Sequence, residues 1–259
     1  MMNWKQLISA KRFGMEEFHE ERQENRSEFQ RDYDRLIFSA PFRRLQNKTQ
    51  VFPLPGSVFV HNRLTHSLEV ASVGRSLGDD VAKALLERHP ELQDSFLPEI
   101  GSIVSAACLA HDLGNPPFGH SGEKAISTFF SEGKGVRLKE KQPNGEQLSP
   151  MEWEDLTHFE GNANAFRILT HQFEGRRKGG FVLTYTTLAS IVKYPFSSSL
   201  AGTKSKFGFF VSEEESFQKI ATELGLTLLN EHPLKYARHP LVYLVEAADD
   251  ICYQMMDIE

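Results

Sequence analysis

The sequence predicts an all-α, mainly helical fold with one small β-hairpin, and three observations support this. Apolar residues recur at steps of three and four through LTHSLEVASVGRSLG, which is the period of an amphipathic helix. Further apolar, helix-like segments lie at 99–112 and in the final stretch HPLVYLVEAADDICYQMMDIE. The extended pattern is short, because only Val51 to Val60, around a Pro-Gly turn, alternates as strands do, and this predicts a hairpin near residues 50–60.

Size and composition are those of an ordinary globular protein. The chain has 259 residues, 40% hydrophobic content, a formal net charge of −6 and only two cysteines. Cys108 and Cys252 both lie in apolar helix-like segments, so we expect reduced, buried thiols rather than a disulfide framework. No apolar run reaches the ~20 residues of a membrane span, and the N-terminus lacks a signal-peptide core. We therefore expect a cytoplasmic protein with no membrane partner.

Charge and punctuation divide the chain into an arm and one domain. Residues 1–40 are rich in charge and predict an N-terminal helical arm, exposed or lying on the surface as a helix. Residues 41–259 are expected to form the main domain. Within it, 131–155 is polar and interrupted by Gly and Pro, which predicts a surface insertion rather than a domain boundary.

The helices of the main domain follow in order. The first begins at Arg63, and Gly78 is its predicted end. The second covers 99–112, and the third begins near Ser121. Two more are expected in FEGNANAFRILTHQF and in FVLTYTTLASIVKYP, where Pro195 ends the helix.

Four residues form a candidate metal constellation: His66, His111, Asp112 and Asp249. Each lies in or at the end of an apolar helical segment, where an unpaired charge is costly, and a divalent cation would satisfy all four. Imidazole suits Mn²⁺, Fe²⁺, Co²⁺, Ni²⁺ or Zn²⁺, and two carboxylates favour harder, six-coordinate ions. Four ligands leave about two positions on such an ion for water or phosphate oxygen. Taken singly, each residue has an ordinary structural explanation, such as a core histidine or an exposed helix charge.

Four motifs in this order resemble a known family. NRLTH, CLAHDLGNPPFGHSGE, FEGNANAFR and YLVEAADDICY are similar to the successive motifs of bacterial deoxyguanosinetriphosphate triphosphohydrolases (dGTPases), in the HD-domain phosphohydrolase superfamily. The resemblance runs from about Phe42 to the last residue. It implies a helical HD-domain fold for 41–259 and a metal held by the four residues above. Mn²⁺ or Mg²⁺ is the expected cofactor, with Fe²⁺, Co²⁺, Ni²⁺ and Zn²⁺ as alternatives.

The resemblance also implies roles for further residues. His120 and Glu123 lie three apart on one helical face, and the family pattern makes them catalytic: His120 acts on the attacking water or the leaving oxygen, and Glu123 orients it. Glu160 is expected in the cleft or behind it. The expected substrate contacts are Gln50, Val51, Arg63, Asn162, Lys193, Tyr194, Tyr253 and Asp257.

The implied reaction is hydrolysis of deoxynucleoside triphosphates, dGTP or a broader set, to deoxynucleoside and tripolyphosphate. Residue spacing alone indicates only metal-assisted phosphoester hydrolysis. Two alternatives stay open: another HD-type nucleotide phosphohydrolase, acting on monophosphates or cyclic dinucleotides, and a non-catalytic module that binds nucleotide or single-stranded DNA.

Assembly and chain length are also matters of resemblance. The family pattern implies a homo-oligomer, a hexamer, with a nucleotide or single-stranded DNA as an effector. Family members usually continue past the EAADDICY helix, so the chain is expected to lack a C-terminal part.

Overall fold

The structure is a computed structural model that describes residues 2–18, 26–48, 62–141, 145–175, 178–202 and 205–258. The hairpin predicted near residues 50–60 lies outside these ranges. The described part is mainly helical, as predicted. Its α-helices are α1 Trp4–Leu7, α2 Glu28–Ile37, α3 Ala40–Arg44, α4 Arg63–Arg88, α5 Ile100–Ala110, α6 His120–Ser131, α7 Pro150–Thr157, α8 Gly161–Thr170, α9 Tyr185–Ile191, α10 Glu214–Glu223 and α11 Val242–Ile258.

Short 3₁₀ turns and one small sheet complete the described elements. Leu228–Asn230 (β1) and Lys235–Tyr236 (β2) pair antiparallel, with Leu228 opposite Tyr236, a pairing that the sequence analysis missed. The 3₁₀ turns are Glu16–Phe18, Leu45–Asn47, Pro90–Leu92, Leu97–Glu99, Lys134–Lys139, Ser198–Leu200 and Val211–Glu213.

Helix α5 is the centre of the fold. Its sequence IGSIVSAACLA is apolar on every side, and all of its residues except Ser102 are buried. A helix of this kind needs neighbours all round. Helices α2, α4, α9 and α11 surround it, and the residue that follows its last turn is His111. The core therefore ends where the predicted metal site begins.

Gly78 does not end α4, contrary to the prediction. The helix continues to Arg88, and Gly78 is buried at the contact between α4 and α5. A Cβ at Gly78 would lie 2.7 Å from the Gly101 Cα of α5, so the glycine serves the close approach of two helices. Packing overrides the weak helix propensity of glycine here.

The described part of the predicted N-terminal arm packs into the fold. Leu7 and Ile8 are buried in the main hydrophobic core. Arg12 donates a hydrogen bond to the fully buried Asp32 of α2 at 2.7 Å. The same carboxylate accepts from the backbone N–H and the hydroxyl of Thr184, which caps α9. The segment thus belongs to the packed body.

The described residues of the predicted surface insertion are mostly exposed. Ser149 caps α7 through a capping box with Glu152. Gly135 and Asp155 are buried, and Asp155, at 5% exposure, accepts a hydrogen bond from the Val211 backbone N–H at 2.7 Å.

Among the described residues, no helix is both long and apolar enough to cross a bilayer.

Candidate metal centre and catalytic cleft

Helices α4 and α5 present the two histidines of the predicted metal site. Asn62 caps α4 by accepting from the backbone N–H groups of Leu64 and Thr65, and His66 follows within the first turns, fully buried. His111 comes directly after the last residue of α5. The close packing of these two helices brings the imidazole ring centres to 5.5 Å.

The four predicted ligands come together in space. Ligand atoms of His66, His111 and Asp112 lie within 4.8 Å of one another. Asp249 of α11, 183 residues from His66 in sequence, places its Oδ1 2.9 Å from His66 Nε2 and 3.6 Å from His111 Nε2. Asp112 Oδ1 lies 3.7 Å from His111 Nε2.

His111 provides a test of whether these residues fit a metal ion. Its Nδ1–H donates to the Cys108 carbonyl at 2.6 Å, so the neutral ring keeps its lone pair on Nε2. That Nε2 is buried and has no hydrogen-bond partner among the described residues. An orphaned buried acceptor is costly, and a cation between it and the two carboxylates would satisfy it. The donor set fits a divalent metal ion of borderline hardness.

The charges of the cluster favour a positive charge on His111 Nε2, which either a proton or a metal ion can supply. Burial lowers the pKa of His111, but the Asp112 and Asp249 carboxylates and the Cys108 carbonyl together outweigh it and raise the pKa to about 9. Burial raises the pKa of Asp249, but its contacts with His111 and His66 outweigh it and hold the pKa well below the usual range. Arg63 Nη1 also donates to Asp112 Oδ2 at 2.7 Å. The carboxylates of Asp112 and Asp249 thus attract the positive charges of Arg63 and His111.

His120 and Glu123 form a second pair beside the cluster. The backbone has positive φ at Phe118 and Gly119, which reverses the chain so that α6 begins at His120. His120 Nδ1–H donates to Glu123 Oε2 at 2.8 Å, and the Gly161 backbone N–H donates to Glu123 Oε1 at 2.8 Å. Glu123 is therefore fixed on both oxygens, while the His120 side chain is 86% exposed.

Lys206 joins this pair to Glu160, a contact that the sequence analysis did not predict. Its ammonium lies 2.7 Å from Glu160 Oε1 and 3.7 Å from Glu123 Oε2. Asn162 Nδ2 donates to the same Glu160 oxygen at 2.8 Å. Lys206 lies in a polar loop, and the sequence of such a loop has no periodic pattern that distinguishes a lysine facing a cleft from one facing solvent.

The predicted substrate contact Lys193 pairs with Glu246, which also pairs with Arg238. The sequence analysis missed both of these residues. Lys193 Nζ lies 2.9 Å from Glu246 Oε1, and Arg238 Nη1 lies 2.9 Å from Glu246 Oε2. Burial lowers the pKa of Lys193, but Glu246 outweighs it and raises the pKa. Tyr194 lies beneath both cations, with its ring centre 5.8 Å from Lys193 Nζ and 5.7 Å from Arg238 Cζ.

Lys48 contacts the turn that follows the predicted ligand Asp112, residues 113–115, called here the metal turn. Its ammonium donates to the carbonyls of Leu113 at 3.1 Å and Asn115 at 2.8 Å, directly after the predicted ligand Asp112. Its own carbonyl accepts from the Arg63 backbone N–H. A lysine some 65 residues earlier in the chain gives no sequence signal of this contact.

One cavity of about 600 Å³ is lined by most of these groups, whereas His66 and Lys48 lie behind its wall and do not line it. Tyr253 lies on its wall, with its ring centre 4.7 Å from that of His66. Gln50 and Val51 lie outside the described residues. Asp257 lies in α11, but its side chain is outside the described part. The predicted site residues that line the cavity are Arg63, His111, Asp112, His120, Glu123, Glu160, Asn162, Lys193, Tyr194, Asp249 and Tyr253.

Comparison with known proteins addresses the family. The family model described as HD domain matches residues 63–179, which include both histidines of the cluster and the His120–Glu123 pair. The chain carries an HD domain. The sequence resemblance is thereby confirmed for the HD domain.

Curated relatives match this chain over its full length. A deoxyguanosinetriphosphate triphosphohydrolase-like protein of Synechocystis sp. is 45% identical, and one of Pseudomonas aeruginosa (strain LESB58) is 47% identical. A deoxyguanosinetriphosphate triphosphohydrolase of Yersinia enterocolitica is 37% identical. The chain covers 59%, 57% and 54% of these three proteins, so it spans somewhat more than half of their length.

Proposed function

We propose that this chain is a metal-dependent phosphohydrolase that converts deoxynucleoside triphosphates, dGTP or a broader set, to deoxynucleosides and tripolyphosphate. One observation carries the proposal. A single cavity of about 600 Å³ contains residues of the candidate metal cluster, the His120–Glu123 pair and two lysines, Lys193 and Lys206. The names of the relatives support the choice of substrate.

The metal cluster would hold Mn²⁺ or Mg²⁺ through His66, His111, Asp112 and Asp249. Such an ion, when bound, supplies Lewis-acid charge against phosphate oxygens. Arg63 lies at the edge of the cluster, where its guanidinium fixes Asp112. Lys193 and Lys206 line the same cavity and would balance the charge of the outer phosphates.

His120 is the proposed proton donor. In the reaction, water oxygen bonds to the α-phosphorus, the bond from that phosphorus to O5′ breaks, and O5′ takes a proton to become the 5′-hydroxyl. Glu123 accepts the Nδ1–H of His120, so Nε2 is the ring atom that exchanges protons with the substrate. The exposure of His120 places that atom where a bound substrate can reach it.

The first experiment is an assay with Mn²⁺ and each of the four deoxynucleoside triphosphates, with the phosphate product identified by ³¹P NMR. We expect tripolyphosphate and deoxynucleoside. His111→Ala should lose both bound Mn²⁺, measured by calorimetry, and turnover. Asp250→Asn is the control for the loss of a candidate ligand, because Asp250 is an exposed neighbour of the candidate ligand Asp249 on the same helix and is not itself a predicted ligand.

Other products would decide between the alternatives. Pyrophosphate or orthophosphate as the product contradicts the proposed bond cleavage. Turnover of nucleoside monophosphates or cyclic dinucleotides alone indicates another HD-type phosphohydrolase. Binding of labelled single-stranded DNA without any turnover indicates a non-catalytic module.

Assembly forms a separate part of the proposal. The homo-hexamer and the nucleotide or single-stranded DNA effector rest on the family resemblance. Light scattering with and without each effector measures the oligomeric state.

A further inference from the structure

Three lysine or arginine side chains line the cavity among the described residues, and each is already paired with a carboxylate. Arg63 pairs with Asp112 at 2.7 Å, and Lys206 pairs with Glu160 at 2.7 Å. Lys193 pairs with Glu246 at 2.9 Å. A polyphosphate that enters the cavity therefore competes with a carboxylate for every one of these cations.

Glu246 differs from the other two carboxylates. The side chains of Asp112 and Glu160 are 5% and 1% exposed, and other contacts hold each of them in place. Asp112 belongs to the candidate metal cluster, and Glu160 caps α8. Glu246 is 22% exposed and has a second cationic partner, Arg238, at 2.9 Å. Lys193 can therefore turn away from Glu246 without leaving that carboxylate unpaired.

The position of Glu246 brings its charge close to bound substrate. Glu246 and Asp249 lie three residues apart on α11, hence on one helical face, and both line the cavity. Arg238 is held in place by two aromatic rings, with its Cζ 5.7 Å from the centre of Tyr194 and 5.6 Å from that of Tyr243. This arrangement keeps a carboxylate beside the lysine expected to contact the phosphates.

We propose that Glu246 competes with polyphosphate for Lys193 and so weakens the retention of the tripolyphosphate product. The inference rests on the proposed function, because it takes tripolyphosphate as the product of this cavity. Lys193 exchanges between Glu246 and a phosphate oxygen, and Arg238 keeps Glu246 paired during the exchange. The negative charge of Glu246 opposes the product and favours its release.

The test uses inorganic tripolyphosphate as the probe and calorimetry in the presence of Mn²⁺. Glu246→Gln should bind it roughly tenfold more tightly than the wild type, as expected for the loss of one like charge near the ligand. The gain should shrink at high ionic strength, because salt screens the repulsion. Asp250→Asn removes the same charge from the same helix at an exposed position, and we expect it to leave the affinity unchanged.

A second variant moves the affinity in the opposite direction. Arg238→Met deprives Glu246 of its other partner and leaves it to Lys193, so tripolyphosphate should bind more weakly than in the wild type. Arg238→Lys should restore much of the affinity. A purely structural role for these residues would weaken binding in both Glu246→Gln and Arg238→Met.

The possible failures can be told apart. If the wild type hydrolyses deoxynucleoside triphosphates and binds tripolyphosphate, but Glu246→Gln binds it equally or more weakly, the inference alone is overturned. If the wild type neither hydrolyses these substrates nor binds tripolyphosphate, the proposed function fails and the inference fails with it. Melting temperatures of all variants identify any loss of binding that comes from unfolding.

Discussion

Gly114→Ala is expected to destabilise the protein and, at the same time, to disturb the His120–Glu123 pair. A Cβ at Gly114 would lie 2.0 Å from the Gly161 carbonyl oxygen and 2.1 Å from the Ala165 backbone nitrogen. Both atoms belong to the backbone of α8, so neither can rotate away as a side chain can. Ordinary contact begins near 3.4 Å, and the turn after Asp112 must therefore separate from α8 by more than about 1 Å.

The magnitude follows from what crosses this contact. Asn164 Nδ2 donates to the Gly114 carbonyl at 2.8 Å, and the Gly161 N–H donates to Glu123 at 2.8 Å. Overpacking costs about 1–3 kcal/mol, and each weakened hydrogen bond costs about 1 kcal/mol. The sum is about 3–5 kcal/mol, which corresponds to a melting temperature lowered by roughly 10 °C. Because Glu123 orients His120, we also expect turnover to fall roughly tenfold or more.

Thermal and urea unfolding measure the first effect, and steady-state turnover of deoxynucleoside triphosphates measures the second. Gly145→Ala is the control: Gly145 has φ +88°, and an added Cβ meets no atom within 4 Å, so only the backbone cost of about 1 kcal/mol is expected. An alanine at position 114 that costs no more than the control and leaves turnover intact would refute the argument.

Three further predictions concern single side chains. Lys48→Met removes two donors behind the metal turn and should weaken Mn²⁺ binding about tenfold by calorimetry, with partial recovery in Lys48→Arg. Burial raises the pKa of Asp155 to about 6, so the folded state holds this proton more tightly than the unfolded chain does. The free energy of unfolding should therefore fall by up to about 3 kcal/mol as pH rises from about 4 to 6. Urea titrations of Asp155→Asn should lack this fall. Burial lowers the pKa of His239 to about 4, and the neutral ring donates its Nε2–H to the Leu7 carbonyl. The contribution of His239 to stability is therefore full above about pH 6.5 and is lost as pH falls toward 4. Over that range the His239→Gln variant should lose less stability than the wild type.

The helices around the site could be predicted because their patterns are local. The apolar run of α5 and the three-and-four periodicity from Leu64 to Leu77 both mark helices that the structure contains. The end of α4 could not be predicted this way. Gly78 looks like a terminator in sequence, and only the neighbouring helix shows that it is a packing contact.

The metal cluster and its surroundings differ in the same respect. His111 and Asp112 are adjacent in the sequence, whereas Asp249 joins His66 only through the packing of α11 on α4, and taken singly it resembles an exposed helix charge. Glu246 lies within the motif YLVEAADDICY, but nothing in that motif assigns it a contact, and Lys48 has no sequence signal of its contact. Their contacts connect separate segments, and charged residues of this kind look the same in sequence whether they face a cleft or solvent.

The origin of the four candidate ligands from three helices has a thermodynamic consequence. His66, His111 and Asp249 are assembled by the core itself, so the conformational entropy of bringing them together is lost during folding and not when an ion arrives. An ion that binds only the assembled cluster must then stabilise the folded chain by linkage, by about 2.7 kcal/mol at a free concentration of about 100 times Kd. Metal affinity and resistance to unfolding are therefore one coupled property of this protein, and a substitution deep between α4 and α5 changes both.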